Sequence, residues 1–202
     1  MIRLAIIEDH PAIAEGLTAL LGGEPDVIVV GTAADDIEAD NLISSQNPDV
    51  VLCDIRLAGP IDGLDILANH TPGPAFVMLS AYSYPSYYAA AVEHGARGYL
   101  SKMASIEQIL KVVRSVAAGG TAFPDDVRRS ARTALRPPTP RESQILALVA
   151  EGRSNAEIAE RLSLRVKTIE SQLRRMFDRY DVASRTSLVR AAQRQGWIEG
   201  GQ

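Results

Sequence analysis

Residues 50–54 read Val50-Val51-Leu52-Cys53-Asp54, a run of four apolar residues closed by one carboxylate, with Gly59, Pro60 and Gly63 in the loop that follows. A continuous apolar run of that length, ended by turn residues, has the pattern of a buried parallel strand. Three more runs share its form. Leu4-Ala5-Ile6-Ile7 ends on the acidic pair Glu8-Asp9, Phe76-Val77-Met78-Leu79 ends on Ser80, and Gly98-Tyr99-Leu100 is followed by Lys102. The carboxyl ends of the strands in a doubly wound sheet share one edge, where ligands bind. Three acids, a hydroxyl and an ammonium therefore converge on one small site.

Working outward, the spacing predicts strands at 3–8, 27–31, 50–53, 75–79 and 97–100. Helices are predicted near 11–21, 36–46, 63–69, 84–94 and 105–118. This alternation implies βαβ units, a five-stranded parallel sheet and right-handed crossovers. Pro11 suits the first turn of a helix, and Gly22-Gly23 and Gly119-Gly120 suit helix ends. From Gly119 to Pro140 the pattern breaks. Glycine and proline there bracket Asp125–Leu135, which reads as a short helix inside a linker. The remainder reads as four short helices at about 140–150, 155–162, 166–179 and 185–195. Thr139 is the expected N-cap before Pro140, Ser154 or Asn155 caps the second helix and Ser184 the fourth, and Gly152 closes the first. The domain division expected is 1–120, a linker at 121–138, and 139–202.

The net charge of -4 conceals a split. Residues 1–119 hold six Lys/Arg against fifteen Asp/Glu, whereas residues 139–202 hold eleven against eight. An acidic front and a basic back suit different partners, and the basic half is the candidate for phosphate backbones. The longest apolar stretches are far short of a membrane span. Glu8 and Asp9 come too early for a signal peptide. The single cysteine, Cys53, cannot form an internal disulfide; the expectation is a cytoplasmic protein with Cys53 as a buried small hydrophobe.

Carboxylates held close together repel, and a divalent cation removes that penalty; hard oxygen ligands suit Mg²⁺. Taken singly, Glu8, Asp9 and Asp54 would be read as strand-end caps. Taken with Ser80 and Lys102, they closely resemble the receiver domain of bacterial response regulators, a flavodoxin-like fold. That resemblance implies that Asp54 accepts a phosphoryl group from the phosphohistidine of a sensor histidine kinase. It implies Mg²⁺ held by Asp9, Asp54 and the backbone carbonyl of Arg56, with Glu8 acting through water. It further implies that Lys102 pairs with the phosphoryl oxygens, that Ser80 turns to bond one of them, and that Tyr99 then swings inward. One departure stands out. A proline usually follows the phosphoacceptor by four residues, where this chain has Ala58, and the loop through Gly59-Pro60-Ile61-Asp62-Gly63 runs one residue longer. A reshaped loop beside the site is expected, with effects on phosphoryl lifetime.

Ser154-Asn155-Ala156-Glu157-Ile158-Ala159, Leu162-Ser163-Leu164 and Lys167-Thr168-Ile169 have the spacing of a helix-turn-helix. With Thr139-Pro140-Arg141-Glu142, Gly152 and Val182-x-x-Arg185-Thr186, this half resembles the DNA-binding domain of NarL/FixJ regulators, also called LuxR-type. The two halves together resemble a two-component response regulator over nearly the whole chain. On the third of these helices Ile169, Leu173, Met176 and Tyr180 share one face, expected to pack inward. Lys167, Ser171, Arg174, Arg175 and Asp178 lie opposite, with Glu170 at the flank. The expected DNA contacts are Lys167, Thr168, Glu170, Ser171, Arg174 and Arg175 in the major groove, Arg174 reading a base and Lys167 and Arg175 holding phosphates. Arg165 stands where a serine usually caps this helix, and Gln172 where a histidine is frequent.

Leu188, Ala191 and Ala192 form one side of the last helix. That side suits either a dimer reading two half-sites or packing within its own domain. Tyr82, Tyr84, Tyr87, Tyr88 and Tyr99 crowd one region and are read as a partner-contact face, the alternative being that two or three pack under the helix with the rest scattered on the surface. Implied partners are DNA, the sensor kinase, a second copy on phosphorylation and RNA polymerase, with no membrane. Two rivals remain. A phosphatase of the haloacid-dehalogenase kind needs an acid two residues past its nucleophile, where this chain has Arg56. A phosphorylation-independent DNA binder would use the first domain only as a dimerisation scaffold.

Overall fold

Five strands make up the first half of the chain: Ile2–Ile7 (β1), Val27–Ala33 (β2), Val50–Asp54 (β3), Ala75–Ser80 (β4) and Gly98–Ser101 (β5). They are seen in a computed structural model that describes residues 1–59, 61–81, 84–123 and 135–198. All neighbouring strands pair in parallel, in the order β2-β1-β3-β4-β5. Helices Pro11–Gly22 (α1), Asp36–Gln46 (α2), Gly63–Asn69 (α3) and Pro85–Glu93 (α4) make the crossovers, and Ile106–Ala117 (α5) follows β5. The strand order reverses at β1 and β3, so the crevice outside their carboxyl ends is the natural ligand position of such a sheet.

The apolar runs are continuous because helices cover both faces of the sheet. Every residue of β3 is buried, as are Leu4 to Ile7 of β1. Leu4, Ile6, Leu52 and Val77 pack with Leu17 and Leu21 of α1 and with Leu110 and Val113 of α5. Local chemistry fixes the helix ends. Asp35 caps α2, Asp62 and Ser105 open α3 and α5 with capping boxes, and Gly119 follows α5 at φ +85°. The expectation for Gly22-Gly23 is met only in part: α1 ends there, but Gly23 has φ -76° and needs no left-handed conformation.

The tyrosine reading is corrected. Tyr87 and Tyr88 of α4 and Tyr99 of β5 are buried, and the Tyr88 and Tyr99 rings meet edge to face with centroids 4.3 Å apart. Three of the five tyrosines are thus engaged in packing rather than displayed to a partner. Tyr84 is half-buried and Tyr82 lies outside the described residues.

A second unit holds Pro140–Ala150 (α6), Asn155–Arg161 (α7), Val166–Tyr180 (α8) and Arg185–Gln195 (α9). The expected linker helix at Asp125–Leu135 falls, apart from Leu135, outside the described residues. Thr139 with Glu142, Ser154 with Glu157 and Ser184 with Ser187 form capping boxes at the starts of α6, α7 and α9. Gly152, after α6, has φ +79°, as its sequence position predicts. Ile145, Leu146, Ile158, Ile169, Leu173, Met176 and Leu188 form the core. Leu188 and Ala192 are spent on this core, so that side of α9 holds its own domain together and is not displayed for a dimer. Among the described residues no helix is long and apolar enough to cross a membrane.

Candidate functional site

The carboxyl edge of the sheet brings the dispersed polar residues together. Glu8 and Asp9 follow β1, Asp54 ends β3, Ser80 ends β4 and Lys102 follows β5. Lys102 Nζ lies 2.8 Å from Asp54 Oδ2 and 2.7 Å from Glu8 Oε2. Glu8 and Asp54 are each only 2% exposed, so the ammonium is what makes two buried carboxylates tolerable side by side. The Lys102 peptide N–H donates to the Ser80 carbonyl at 2.8 Å, which fixes the end of β5 against β4. Ser80 is buried and its hydroxyl bonds the Tyr99 phenol. Tyr99 lies inside, 2% exposed.

His10 is a member of the site that the sequence reading passed over. Its Nδ1 lies 2.7 Å from Asp9 Oδ1 and 3.0 Å from Glu8 Oε1. Its place directly after Glu8-Asp9 was the available signal. The other Asp9 oxygen, Oδ2, accepts the Ala58 peptide N–H at 2.7 Å. Arg56, two residues past Asp54, is exposed; its guanidinium donates to the Tyr87 hydroxyl at 3.2 Å and its peptide N–H pairs with the Asp54 carboxylate.

The electrostatics follow from burial and pairing. Burial raises the Asp54 pKa, and the Glu8 charge adds to it; Lys102 and the Arg56 N–H only partly offset this. Burial works to lower Lys102, but hydrogen bonds and charge from Asp54 and Glu8 win, and its pKa is raised. Glu8 and then Asp9 raise His10. Burial pushes the Cys53 thiol well up, so it behaves as a hydrophobe, with Sγ 3.2 Å from the Asp54 carbonyl oxygen. Burial likewise raises the Tyr99 phenol.

Glu8, Asp9, His10 and Asp54 each offer a ligand atom, and these four atoms lie within 4.8 Å of one another. Three of the donors are carboxylates, two of them buried beside a single ammonium. Hard oxygens and an excess of negative charge fit Mg²⁺. The loop past Asp54 is held close: Gly63 N–H donates to the Ile55 carbonyl at 2.9 Å, and a Cβ at residue 63 would stand 1.9 Å from the Asp54 carbonyl oxygen. The lengthened loop therefore still requires glycine where it rejoins α3.

In the second unit, α8 turns Ile169, Leu173, Met176 and Tyr180 inward, as its periodicity predicts. Lys167, Glu170, Ser171, Arg174, Arg175 and Asp178 are exposed, and Thr168 is half-buried. The arginines of the unit divide by role. Arg179 pairs with the buried Glu142 at 2.9 Å, and Arg185 with Asn155 and the Arg153 carbonyl. Lys167, Arg174 and Arg175 have no ion pair or hydrogen bond among the described residues, which leaves their charge for an outside anion. At the start of α8, Arg165 has cap geometry but makes no side-chain cap bond.

Comparison with known proteins agrees with this geometry. Residues 4–114 match the response regulator receiver domain, and residues 138–192 match the bacterial regulatory proteins of the luxR family. The chain is 34% identical to the transcriptional regulatory protein MctR of Rhizobium johnstonii, over 98% of this chain and 95% of that one. Among solved structures, RcsB of Salmonella typhimurium superposes with a TM-score of 0.67 at 25% identity, over 94% of this chain and 98% of that one. A structure of two RcsB dimers bound to two parallel DNAs gives 0.64 at 25% identity, over 96% and 98%. A receiver fold with its acidic edge, followed by a helix-turn-helix unit and matched along its whole length, places the chain among the NarL/FixJ-type response regulators, the two-component transcriptional regulators with a LuxR-type DNA-binding domain.

Proposed function

We propose that Asp54 is the phosphoacceptor and that its modification controls DNA binding by the second unit. The observation that carries this is the Lys102 ammonium bridging the buried Asp54 and Glu8. An Asp54 carboxylate oxygen attacks the phosphorus of a sensor kinase's phosphohistidine. The P–N bond breaks, the imidazole leaves, and an acyl phosphate remains. The added charge is about -1.5 to -2, with three strong acceptor oxygens. Lys102 would pair with one of these and Ser80 would turn from Tyr99 toward another. Asp9 and Asp54, with the Arg56 carbonyl as a further oxygen and Glu8 through water, would hold Mg²⁺. Bound there, the ion would supply the positive charge that an acyl phosphate needs in this pocket.

On the DNA side, we read Arg174 as the base-reading residue, Lys167 and Arg175 as phosphate contacts, and Thr168, Glu170 and Ser171 as lining the same groove. The exposed, unpaired cations support this, as does a relative seen as dimers on DNA. A homodimer reading two half-sites, with RNA polymerase as a downstream partner, completes the reading. It is a regulator's role and not that of a turnover enzyme: Arg56 supplies no acid where a phosphatase would need one. The test is labelling with acetyl phosphate and Mg²⁺. One phosphoryl group per chain is expected, lost in Asp54→Asn, with tighter DNA binding in the labelled protein. No label, or label that persists in Asp54→Asn, overturns the proposal. Label without any change in DNA affinity would favour phosphorylation-independent binding.

A further inference from the structure

The loop that leaves β3 touches Asp9 through the backbone of Ala58. Its N–H donates to Asp9 Oδ2 at 2.7 Å, a short bond between a neutral donor and a carboxylate. Residue 58 is exposed, and its methyl group is not what makes the contact. Only the peptide N–H is used, and proline, which has none, could not replace it. We infer that Ala58 is a positioning residue for the magnesium centre: its N–H fixes the Asp9 carboxylate and ties the lengthened loop to that ligand.

The physical case rests on how carboxylate ligands behave. A carboxylate has about four lone-pair sites on its two oxygens, so accepting one N–H bond leaves room for a cation. Asp9 is half-buried and its other oxygen faces His10, an exposed ring that can rotate away. The Ala58 bond joins the backbone of the loop after β3 to the side chain of Asp9, which itself follows the end of β1. It therefore holds the Asp9 plane in place when the His10 contact is given up. Hydrogen bonds to a ligating carboxylate typically change metal affinity by about 10–100-fold when removed. By reciprocity, metal binding at Asp9 stabilises the loop through the same bond.

This inference rests on the proposal that Asp9 binds Mg²⁺, and the experiment separates the two. Mg²⁺ is titrated calorimetrically into the full-length chain, into Ala58→Pro and into Ala58→Ser, which keeps the N–H. Wild type and Ala58→Ser are expected to agree within about twofold, and Ala58→Pro to bind about tenfold more weakly. If wild type binds no Mg²⁺, both readings fall. If wild type binds it and Ala58→Pro matches, or if Ala58→Ser loses as much as Ala58→Pro, the tether alone falls. A second measurement needs no variant: hydrogen exchange at the Ala58 amide is expected to slow on adding Mg²⁺ to wild type. Exchange at the same rate with and without the ion overturns the tether even if Ala58→Pro does not fold.

Discussion

At the residue scale, the buried carboxylates Glu8, Asp54 and Glu142 each face a fixed cation among the described residues. Lys102 serves Glu8 and Asp54 in the first unit, and Arg179 serves Glu142 in the second. Glu142 is 4% exposed. Burial works to raise its pKa, but the Thr139 backbone and hydroxyl and the Arg179 guanidinium outweigh that and bring it below 4.5. Its folded pKa is depressed, so its stabilisation is present above the unfolded value and is lost as pH falls through the folded one. Glu142→Gln is therefore expected to destabilise the second unit by about 1–2 kcal/mol at pH 7, discounting Arg179 for its partial exposure. Urea unfolding followed from pH 7 down through acid until Glu142 is protonated in the folded state checks this, and a gap that stays the same size throughout would refute it. The Glu142 pair was not evident from sequence, because Arg179 is 37 residues away and only the packing of α8 on α6 brings it near.

At the element scale, capping separates the recognition helix from its neighbours. Helices α6, α7 and α9 begin with capping boxes, whereas α8 begins at Arg165 with no side-chain cap. A serine cap typically contributes about 0.5–2 kcal/mol over a residue that cannot cap. On the proposed reading, Arg165 instead adds an exposed cation at the start of the helix that would enter the groove. Arg165→Ser is expected to stabilise the unit by about 1 kcal/mol. It should also reduce the slope of log affinity against log salt by about 0.9, the contribution of one phosphate contact. Thermal unfolding with DNA titrations across a salt series tests both effects. Unchanged stability, or an unchanged slope, counts against the trade. The helix and strand positions were legible because periodicity, Pro11, Pro140 and the serine caps are local signals. The glycine pair at the end of α1 was less so, since only the observed φ of Gly23 distinguishes a stop from a left-handed turn.

At the scale of the whole molecule, the question is how one acyl phosphate moves an equilibrium. A shift from 1:99 to 99:1 needs about 5.5 kcal/mol. Charge-assisted bonds contribute about 1.5–3 kcal/mol each, and Lys102 would exchange its bonds to Asp54 and Glu8 rather than gain one, so Ser80 and Lys102 together fall short of that figure. Coupling to association would add bias. Phosphorylation, or a phosphoryl mimic, is accordingly expected to tighten self-association by at least tenfold in sedimentation. Identical dimer constants with and without it would refute this. The core face of α9 is already filled by Leu188 and Ala192, so a dimer must use other surfaces.

The sequence by itself determined the alternation of strand and helix, the acidic front and basic back, and which residue types end each strand. Those are local properties, written in runs, caps and spacing. Only the tertiary structure decided that one ammonium serves two carboxylates and that Ala58 reaches Asp9 by its backbone. It also turned Tyr87, Tyr88 and Tyr99 into packing instead of display. These depend on distances between strand ends far apart in the chain, and on a peptide N–H that every residue but proline carries, so no side-chain pattern announces them.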